Sequence, residues 1–232
     1  MKKAFVSCDA ARILENHCSV QPLSLMPYSS LDTPVQSHAD MLVFIMEGKI
    51  FTYKEYYEQN KKVFDEAKKE GYELVFVSKI CGREYPNDIA LNVLRVGKLL
   101  FSNLKHTAVE ILEYAGECDY RLVNVKQGYS DCSTLVLNES TIITADKSIY
   151  DASLRNGIDA LLVESGGITL EGYDYGFIGG ASFVIDKNVY FLGEIKNHPS
   201  YEKIKDKIKS VGMEIFEIMS GNVCDFGGIR QI

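Results

Sequence analysis

The apolar positions of this chain recur in one order, which is two short apolar runs joined by a turn, an amphipathic stretch, and a third apolar run. In the first complete unit, residues 41–46 and 49–51 predict two strands around Glu47-Gly48, which suits a hairpin turn. Residues 53–70 place apolar side chains on one face and Lys and Glu on the other, which predicts a helix. Residues 73–77 predict a returning strand, so the unit is strand, strand, helix, strand.

Later units repeat this order, and a glycine follows each predicted helix. Glycine takes the left-handed backbone of a helix end more easily than any other residue. Gly71 follows the first helix, and the later predicted helices and their glycines are residues 104–115 with Gly116, 148–156 with Gly157, and 201–211 with Gly212. The strands predicted to follow them are residues 120–125, 159–163 and 214–218.

A polar or small residue marks the entrance to the first strand of each unit. These residues are Asp40, Asp88, Cys132, Gly180 and Asp225, and they are 48, 44, 48 and 45 positions apart. A nearly constant interval of this size indicates an internal repeat. The predicted repeats cover roughly residues 37–80, 85–125, 128–164 and 176–218.

The fifth unit is divided between the two ends of the chain. Residues 222–232 supply a strand entrance, whereas residues 3–23 supply strand, helix and strand, with the helix at residues 10–17 and His17 expected to interact with its C-terminal end. A linear array would need polar capping repeats at its ends, which a closed ring does not. We therefore predict one α/β domain over residues 1–232, a propeller of five repeats closed by the termini.

Composition and charge narrow the function classes. Of 232 residues, 46% are apolar and 25% are charged, as in a globular protein, and the net charge is -7. This acidity argues against a general nucleic-acid surface, which needs clustered Lys and Arg. No apolar run approaches the roughly 18 residues of a membrane span, and the first residues do not resemble a secretion signal. We expect a cytoplasmic protein with neither nucleic-acid nor membrane partners.

The cysteines and glycine pairs suggest no metal or cofactor site. The six cysteines form no C-x-x-C pair, and scattered thiols are mostly small buried residues. Residues 165–167 and 177–180 are glycine-rich, but neither has the spacing of a phosphate-binding loop. No metal and no cofactor are therefore predicted.

Five strand, strand, helix, strand units in a ring resemble the penteins, the superfamily of arginine deiminases, dimethylarginine hydrolases and glycine amidinotransferases. Individual segments are similar to an uncharacterised, clostridial-type family of that fold. Those segments are His38-Ala-Asp-Met, Tyr85-Pro-Asn-Asp-Ile-Ala-Leu-Asn92, Lys126-Gln-Gly-Tyr-Ser-Asp-Cys-Ser133, Tyr175-Gly-Phe-Ile-Gly-Gly180 and Asp225-Phe-Gly-Gly-Ile229.

The resemblance implies a site at one mouth of the ring. Catalytic penteins use a cysteine thiolate that attacks a guanidinium carbon, a histidine that transfers protons, and carboxylates that hold the guanidinium nitrogens. By this resemblance Cys132 is the nucleophile and His38 the acid/base group. The implied substrate-binding residues are Asp40, Asp88, Asp131, Asp225 and Gly180, the glycine leaving room for a ligand to approach the backbone. The implied ligand is a small guanidino or amidino compound.

Two alternatives remain open at this stage. In the active families the nucleophile usually lies near the C-terminus, which makes Cys224 an alternative to Cys132. Because side chains alternate along a strand, only one of Asp131 and Cys132 is expected to point inward, and the same holds for Cys224 and Asp225. The second alternative is a binding protein of the same fold, which holds a small polar metabolite or a protein partner without catalysis.

Overall fold

The computed structural model describes residues 2–15 and 20–232, which adopt a mixed α+β fold. The helices are α1 (Cys8–Leu14), α2 (Ala39–Leu42), α3 (Lys54–Lys69), α4 (Val109–Glu117), α5 (Lys147–Arg155) and α6 (Tyr201–Ser210), with short 3-10 turns at Thr33–Val35 and Ile195–Asn197. The strands are β1 (Lys2–Ser7), β2 (Val20–Leu25), β3 (Phe44–Met46), β4 (Lys49–Thr52), β5 (Glu73–Phe76), β6 (Leu94–Val96), β7 (Leu99–Ser102), β8 (Arg121–Asn124), β9 (Thr134–Asn138), β10 (Thr141–Thr144), β11 (Asp159–Leu162), β12 (Ile168–Thr169), β13 (Ser182–Ile185), β14 (Asn188–Phe191), β15 (Glu214–Glu217), β16 (Val223–Cys224) and β17 (Ile229–Gln231).

Five three-stranded sheets within these residues share one topology. In each, the first strand is antiparallel to the middle strand, and the third strand is parallel to the middle strand and follows it through a helix. The sheets are β3-β4-β5, β6-β7-β8, β9-β10-β11, β13-β14-β15 and β17-β1-β2. The predicted order of strand, strand, helix, strand is confirmed.

One sheet takes strands from both ends of the chain. β17 runs antiparallel to β1, with Ala4 opposite Gln231 and Val6 opposite Ile229, and β1 is parallel to β2. The two ends of the chain therefore share one sheet, as the predicted joining of residues 222–232 with residues 3–23 requires. The predicted end of the first helix, and the expected interaction of His17 with it, lie outside the described residues.

The segment before β3 differs from the prediction. Residues 41–46 were expected to form one strand, but Ala39–Leu42 is a short helix, closed by a 2.9 Å hydrogen bond from the Val43 amide to the Ala39 carbonyl oxygen. Turns also precede β6, β9 and β13. Asp88, Cys132 and Gly180 therefore lie on turns, Asp40 lies in the short helix, and Asp225 lies in an irregular segment. In none of these does the two-residue alternation of a strand decide which side chains share a face.

Three of the predicted helix ends are confirmed. Gly71, Gly157 and Gly212 follow their helices with positive φ angles of 93°, 77° and 72°. The fourth is wrong, because Gly116 lies inside α4 and Asp119 takes the left-handed conformation instead, with φ 58°. Aspartate is one of the few residues with a side chain that tolerates this conformation.

The amphipathic helix α3 covers the largest apolar cluster. It buries Tyr56, Phe64 and Ala67, and the Phe64 ring lies 5.2 Å from that of Phe5 in β1. The Tyr56 ring lies 5.1 Å from that of Tyr28. None of the helices within the described ranges has the length and apolar character that a membrane span requires.

The first strands of the five sheets border a common cavity of about 390 Å³. β3 contributes Phe44, β6 contributes Arg95, and β9 contributes Thr134. β13 contributes Ser182, and β17 contributes Arg230. The turns that lead into these strands consequently lie close to one another, and the candidate site is built on them.

Candidate functional site

The register of the repeats in the structure follows from the number of residues between each position and the start of the next strand. Cys132 lies two residues before β9, and the residues two positions before β3, β6, β13 and β17 are Leu42, Asn92, Gly180 and Gly227. The equivalence inferred from spacing therefore holds for Cys132 and Gly180. It is out of register by two residues at Asp40 and Asp225, which lie four residues before their strands, and by four at Asp88.

A pocket of about 240 Å³ lies among these turns. Cys132, His38 and Asp225 all line it, although they come from three different segments that lead into strands. The remaining lining residues are Val35, Met41, Tyr129, Leu170, Tyr173, Asp174, Tyr175 and Phe177. The fold thus brings together a thiol, an imidazole and a carboxylate that the sequence separates widely.

Cys132 presents a buried thiol to this pocket. The side-chain amide of Asn92 donates a hydrogen bond to its Sγ at 2.8 Å, and only 5% of the residue is exposed. Burial raises the pKa of the Cys132 thiol well above its ordinary value, and the nearby carboxyl groups of Asp40 and Asp225 raise it further. The thiol is therefore neutral in the free protein.

Asn92 links the segments that carry Asp40 and Cys132 through side-chain hydrogen bonds. Its Nδ2 donates to the Asp40 carbonyl oxygen at 3.2 Å as well as to Cys132, and its Oδ1 accepts from the Asp131 amide at 2.9 Å. The sequence interpretation gave Asn92 no role. The signal was its position two residues before β6, which matches that of Cys132 before β9.

Replacing Asn92 by alanine is expected to lower the free energy of unfolding by about 2–4 kcal/mol, because a buried amide and a buried carbonyl would lose their partner. Urea unfolding of Asn92→Ala measures this. The matched control is Asn197→Ala, at an exposed asparagine, which should change stability by no more than about 0.5 kcal/mol. Equal losses in both variants would contradict the bridging role of Asn92.

Asp40 is a buried carboxyl without a conventional partner. It is 1% exposed, and neither carboxylate oxygen has a hydrogen bond of good geometry to a described residue, although the Cys132 thiol is near enough to lower its pKa slightly. Burial is the dominant effect and raises the pKa of Asp40 to about 6, while the His38 imidazole and the Arg230 guanidinium oppose the rise. At neutral pH a buried carboxylate that these groups compensate only in part therefore lies next to Cys132.

Asp225 is positioned by backbone amides. Its Oδ2 accepts from the Phe177 amide at 2.8 Å and its Oδ1 from the Gly227 amide at 2.9 Å. Burial raises the pKa of Asp225 to about 6, and the two amides reduce this rise. Gly180 makes room for the carboxylate, because a Cβ at that position would clash with Asp225 Oδ1. The expectation that Gly180 admits a ligand to the backbone is thus corrected.

His38 lies beside Asp225 in the pocket wall. Its Nδ1 is 3.9 Å from Asp225 Oδ1, which is longer than a hydrogen bond. Burial lowers the pKa of His38, and the carboxyl groups of Asp40 and Asp9 oppose this only partly. The imidazole is therefore neutral at pH 7 and can accept a proton.

Asp88 reaches the pocket indirectly. Its Oδ2 accepts a 2.7 Å hydrogen bond from the phenol of Tyr129, which lines the pocket, while its Oδ1 has no partner in the part of the chain that the structure describes. Burial raises the pKa of Asp88, and the Tyr129 phenol partly offsets the rise. Asp88 itself is absent from the lining, so its expected contact with a ligand is replaced by a contact with Tyr129.

Asp131 and Cys224 do not join the pocket. The Asp131 carboxylate forms an ion pair with Arg230, and both residues line the 390 Å³ cavity instead. Cys224 is half-buried, its Sγ donates to the Asn222 carbonyl oxygen at 3.4 Å, and burial raises the pKa of its thiol. Of each adjacent pair, the pocket therefore receives Cys132 and Asp225.

Aromatic rings form the outer wall, and the sequence interpretation missed them. Tyr129, Tyr173, Tyr175 and Phe177 line the pocket, and the Phe177 ring lies 6.0 Å from the rings of both Tyr129 and Tyr175. The Tyr173 phenol donates to Asp32 at 3.0 Å, which ties this wall to the preceding loop. The available signal was the aromatic residue at every second position from 173 to 177.

The lining is acidic and aromatic. It contains Asp174 and Asp225 but neither Lys nor Arg among the described residues. Aromatic faces and carboxylates both attract organic cations. Within residues 2–15 and 20–232, no three His, Cys, Asp or Glu side chains are grouped to hold a metal ion.

Solved structures with a similar fold include dimethylarginine dimethylaminohydrolase from Pseudomonas aeruginosa, a Cys-to-Ser variant in complex with citrulline. The identity is 10%, the TM-score is 0.60, and the match covers 100% of this chain and 99% of that one. Agmatine deiminase from C. jejuni matches with 12% identity and a TM-score of 0.57 over 94% and 86% of the two chains. The amidinotransferase SxtG from Microseira wollei matches with 13% identity and a TM-score of 0.53 over 90% and 71%.

These likenesses establish the pentein fold, which the repeat pattern predicted. At such low identities they show the fold alone. None of the curated proteins compared has a significantly similar sequence. A family model, described as a family of unknown function (DUF6873), matches residues 6–230, and the chain belongs to that family.

Proposed function

We propose that the pocket around Cys132 binds a small guanidinium or amidinium cation and that Cys132 modifies it as a nucleophile. The protein would then be a cysteine-dependent hydrolase or transferase. The observation that carries this proposal is the meeting of Cys132, His38 and Asp225 in one aromatic-walled pocket of about 240 Å³. The names of the structural neighbours, which include a hydrolase of dimethylarginine and an amidinotransferase, support it.

The charges around the pocket favour a cation. Asp225 lines it and Asp40 lies buried next to Cys132, so at neutral pH the free protein holds carboxylates that no side chain of the described residues fully compensates. A bound guanidinium would compensate them and could stack on the rings of the wall. The volume is below the roughly 300–1,000 Å³ of ordinary ligand pockets, which limits the ligand to a small molecule.

The bound cation would also supply the positive charge that a Cys132 thiolate needs for its stabilisation. Cys132 is neutral in the free protein because burial and two carboxyl groups raise its pKa. A cation placed against it would stabilise the thiolate, and the released proton would pass to His38 or to Asp40. Substrate binding would thus activate the nucleophile.

The proposed reaction balances for a guanidinium substrate. The thiolate sulfur bonds to the guanidinium carbon, and an amine leaves after taking a proton from the protonated acid/base group, to which we assign His38. Water then displaces the sulfur and leaves a urea, so the net change is the uptake of water and the release of an ammonium ion. In a transferase, an acceptor amine replaces the water.

A second candidate is a protein that binds such a cation without modifying it. The burial of Cys132 and the raised pKa of its thiol favour this candidate, since both disfavour the thiolate. The two candidates share the ligand class and differ in the fate of the ligand.

Mass spectrometry of guanidino compounds after incubation with the protein separates the candidates. Recovery of a urea or an amidine-exchanged product, together with the released amine, supports the enzyme. Saturable binding with quantitative recovery of the unchanged compound supports the binding protein. Absence of both binding and turnover would contradict the ligand class.

Binding of butylguanidine is expected to strengthen about ten-fold between pH 5 and pH 7.5. The pKa values of Asp40 and Asp225 are raised to about 6, so both carboxyls are largely neutral at pH 5 and ionised at pH 7.5. The ligand stays protonated throughout, because a guanidinium loses its proton only above pH 12. Isothermal calorimetry at several pH values measures the effect; affinity that is constant or falls with pH would contradict it.

We propose, finally, that the five sheets close into a ring as one domain. This is supported by the pairing of β17 with β1 and by the cavity that the first strands of all five sheets border. In such a ring Asp88 would support the pocket wall through Tyr129, and Asp131 would pair with Arg230 in the channel. The expected cytoplasmic location stays a prediction.

A further inference from the structure

We propose that the ligand of this pocket carries no carboxylate and has a second cationic group at its far end, which Asp174 selects. This inference rests on the proposed function, because it assumes that a guanidinium or amidinium group occupies the pocket beside Cys132. It goes further by naming the remainder of the molecule. Three features of the pocket support it.

The first feature is the charge of the lining. A ligand carboxylate would need a cationic partner, but the described lining residues include neither Lys nor Arg. The guanidinium of Arg230 lowers the pKa of Asp40, but it forms an ion pair with Asp131 and lines the cavity of about 390 Å³ instead. A carboxylate in this pocket would instead meet the like charges of Asp174 and Asp225, which disfavours it.

The second feature is that four hydrogen-bond donors at or beside the pocket already have acceptors. The amides of Phe177 and Gly227 already donate to Asp225. The phenols of Tyr129 and Tyr173 donate to carboxylates outside the lining, at 2.7 and 3.0 Å. These groups are therefore committed elsewhere and are not free to receive a ligand carboxylate.

The third feature is the position of Asp174. This exposed residue lies on the loop of residues 170–176 and borders both the pocket and a neighbouring cavity of about 300 Å³. The described lining of that second cavity also includes neither Lys nor Arg, and its polar side chains include the neutral Asn197 and Asn222. A chain that extends from the pocket toward this cavity passes Asp174, which favours a positive group there.

Three probes with the same four-carbon spacing test the proposal at pH 7.5 by isothermal calorimetry. Butylguanidine has no group at its far end, agmatine has an amine there, and arginine has an amine and a carboxylate. We expect agmatine to bind about three-fold more tightly than butylguanidine, as for an exposed ion pair. Arginine is expected to bind at least about ten-fold more weakly than agmatine.

The variant Asp174→Asn tests the selecting residue. It should reduce the affinity for agmatine about three-fold more than the affinity for butylguanidine, because only agmatine has an amine at its far end. The matched control is Glu171→Gln, which removes an exposed charge on the same loop that does not line the pocket. This control should bind all three probes as the unaltered protein does.

The outcomes separate this inference from the proposed function. Arginine binding as tightly as agmatine would overturn the inference, while guanidinium binding would stand. Equal losses for agmatine and butylguanidine in Asp174→Asn would overturn the assignment of the second cation to Asp174. Failure of all three probes to bind would overturn the proposed ligand class and this inference with it.

Discussion

Replacing Cys132 by serine is expected to abolish turnover of guanidino compounds, by at least about a thousand-fold, while leaving their binding intact. A serine hydroxyl at this position lacks the nucleophilicity of a thiolate. It can still accept the hydrogen bond from Asn92, which the Cys132 sulfur accepts at 2.8 Å, so the free energy of unfolding should change by no more than about 1 kcal/mol. Steady-state turnover, calorimetry and urea unfolding of the same variant measure the three quantities.

The control for this prediction is Cys224→Ser, which alters the other candidate thiol. Cys224 does not line the pocket, so its replacement should leave turnover within about two-fold of the original. The reverse pattern, with activity lost on replacing Cys224 and kept on replacing Cys132, would move the nucleophile to the C-terminal segment. Full activity in both variants would exclude cysteine catalysis at either site.

Replacing Asp40 by asparagine is expected to stabilise the protein by about 1–3 kcal/mol at pH 8 and to weaken cation binding. The pKa of Asp40 rises from its ordinary 3.8 to about 6 on folding, so ionisation of this buried carboxyl costs the folded state about 3 kcal/mol above pH 6. An amide of the same shape does not ionise and removes that cost. The stability gain and the binding loss have the same origin, because the destabilising charge is the one that attracts the ligand.

The stability gained by Asp40→Asn should depend on pH. A carboxyl with a raised pKa in the folded state destabilises fully above that pKa, and the penalty disappears as pH falls from about 6 to about 4. The advantage of Asp40→Asn should therefore be greatest at pH 8 and vanish near pH 4. Asp206→Asn, at an exposed aspartate of α6, is the matched control and should stay within about 0.5 kcal/mol at all pH values. A variant less stable than the original at pH 8 would contradict the account of Asp40.

The fold could be predicted from sequence because its signals are local and repeated. Each unit has its own hairpin, amphipathic helix and returning strand, and residues such as Gly71 and Gly212 mark the helix ends. The nearly constant interval between repeats was enough to predict that Cys132 and Asp225 lie in the same region. Local patterns therefore determined the topology, and the topology brought the site residues together.

The composition of the site was harder to predict, for two physical reasons. Loop lengths differ between repeats, so counting positions shifted Asp40 and Asp88 out of register and concealed the equivalence of Asn92 with Cys132. The entrance segments are turns, so the alternation rule for strands could not decide the directions of Asp131 and Cys132. Tyr173 and Tyr175 of the aromatic wall lie on a loop between the predicted repeats and have no counterpart from which to infer them.

Covalent labelling by 2-chloroacetamidine tests the central claim most directly, because this reagent needs both a cation pocket and a thiol that becomes reactive within it. Intact mass and peptide mapping should show one adduct, at Cys132, which butylguanidine prevents. The neutral analogue 2-chloroacetamide should react far more slowly at that residue, since it cannot compensate the carboxylates that raise the pKa of the thiol. Labelling at Cys224 alone, or equal labelling of Cys132 by both reagents, would contradict a cation-activated Cys132.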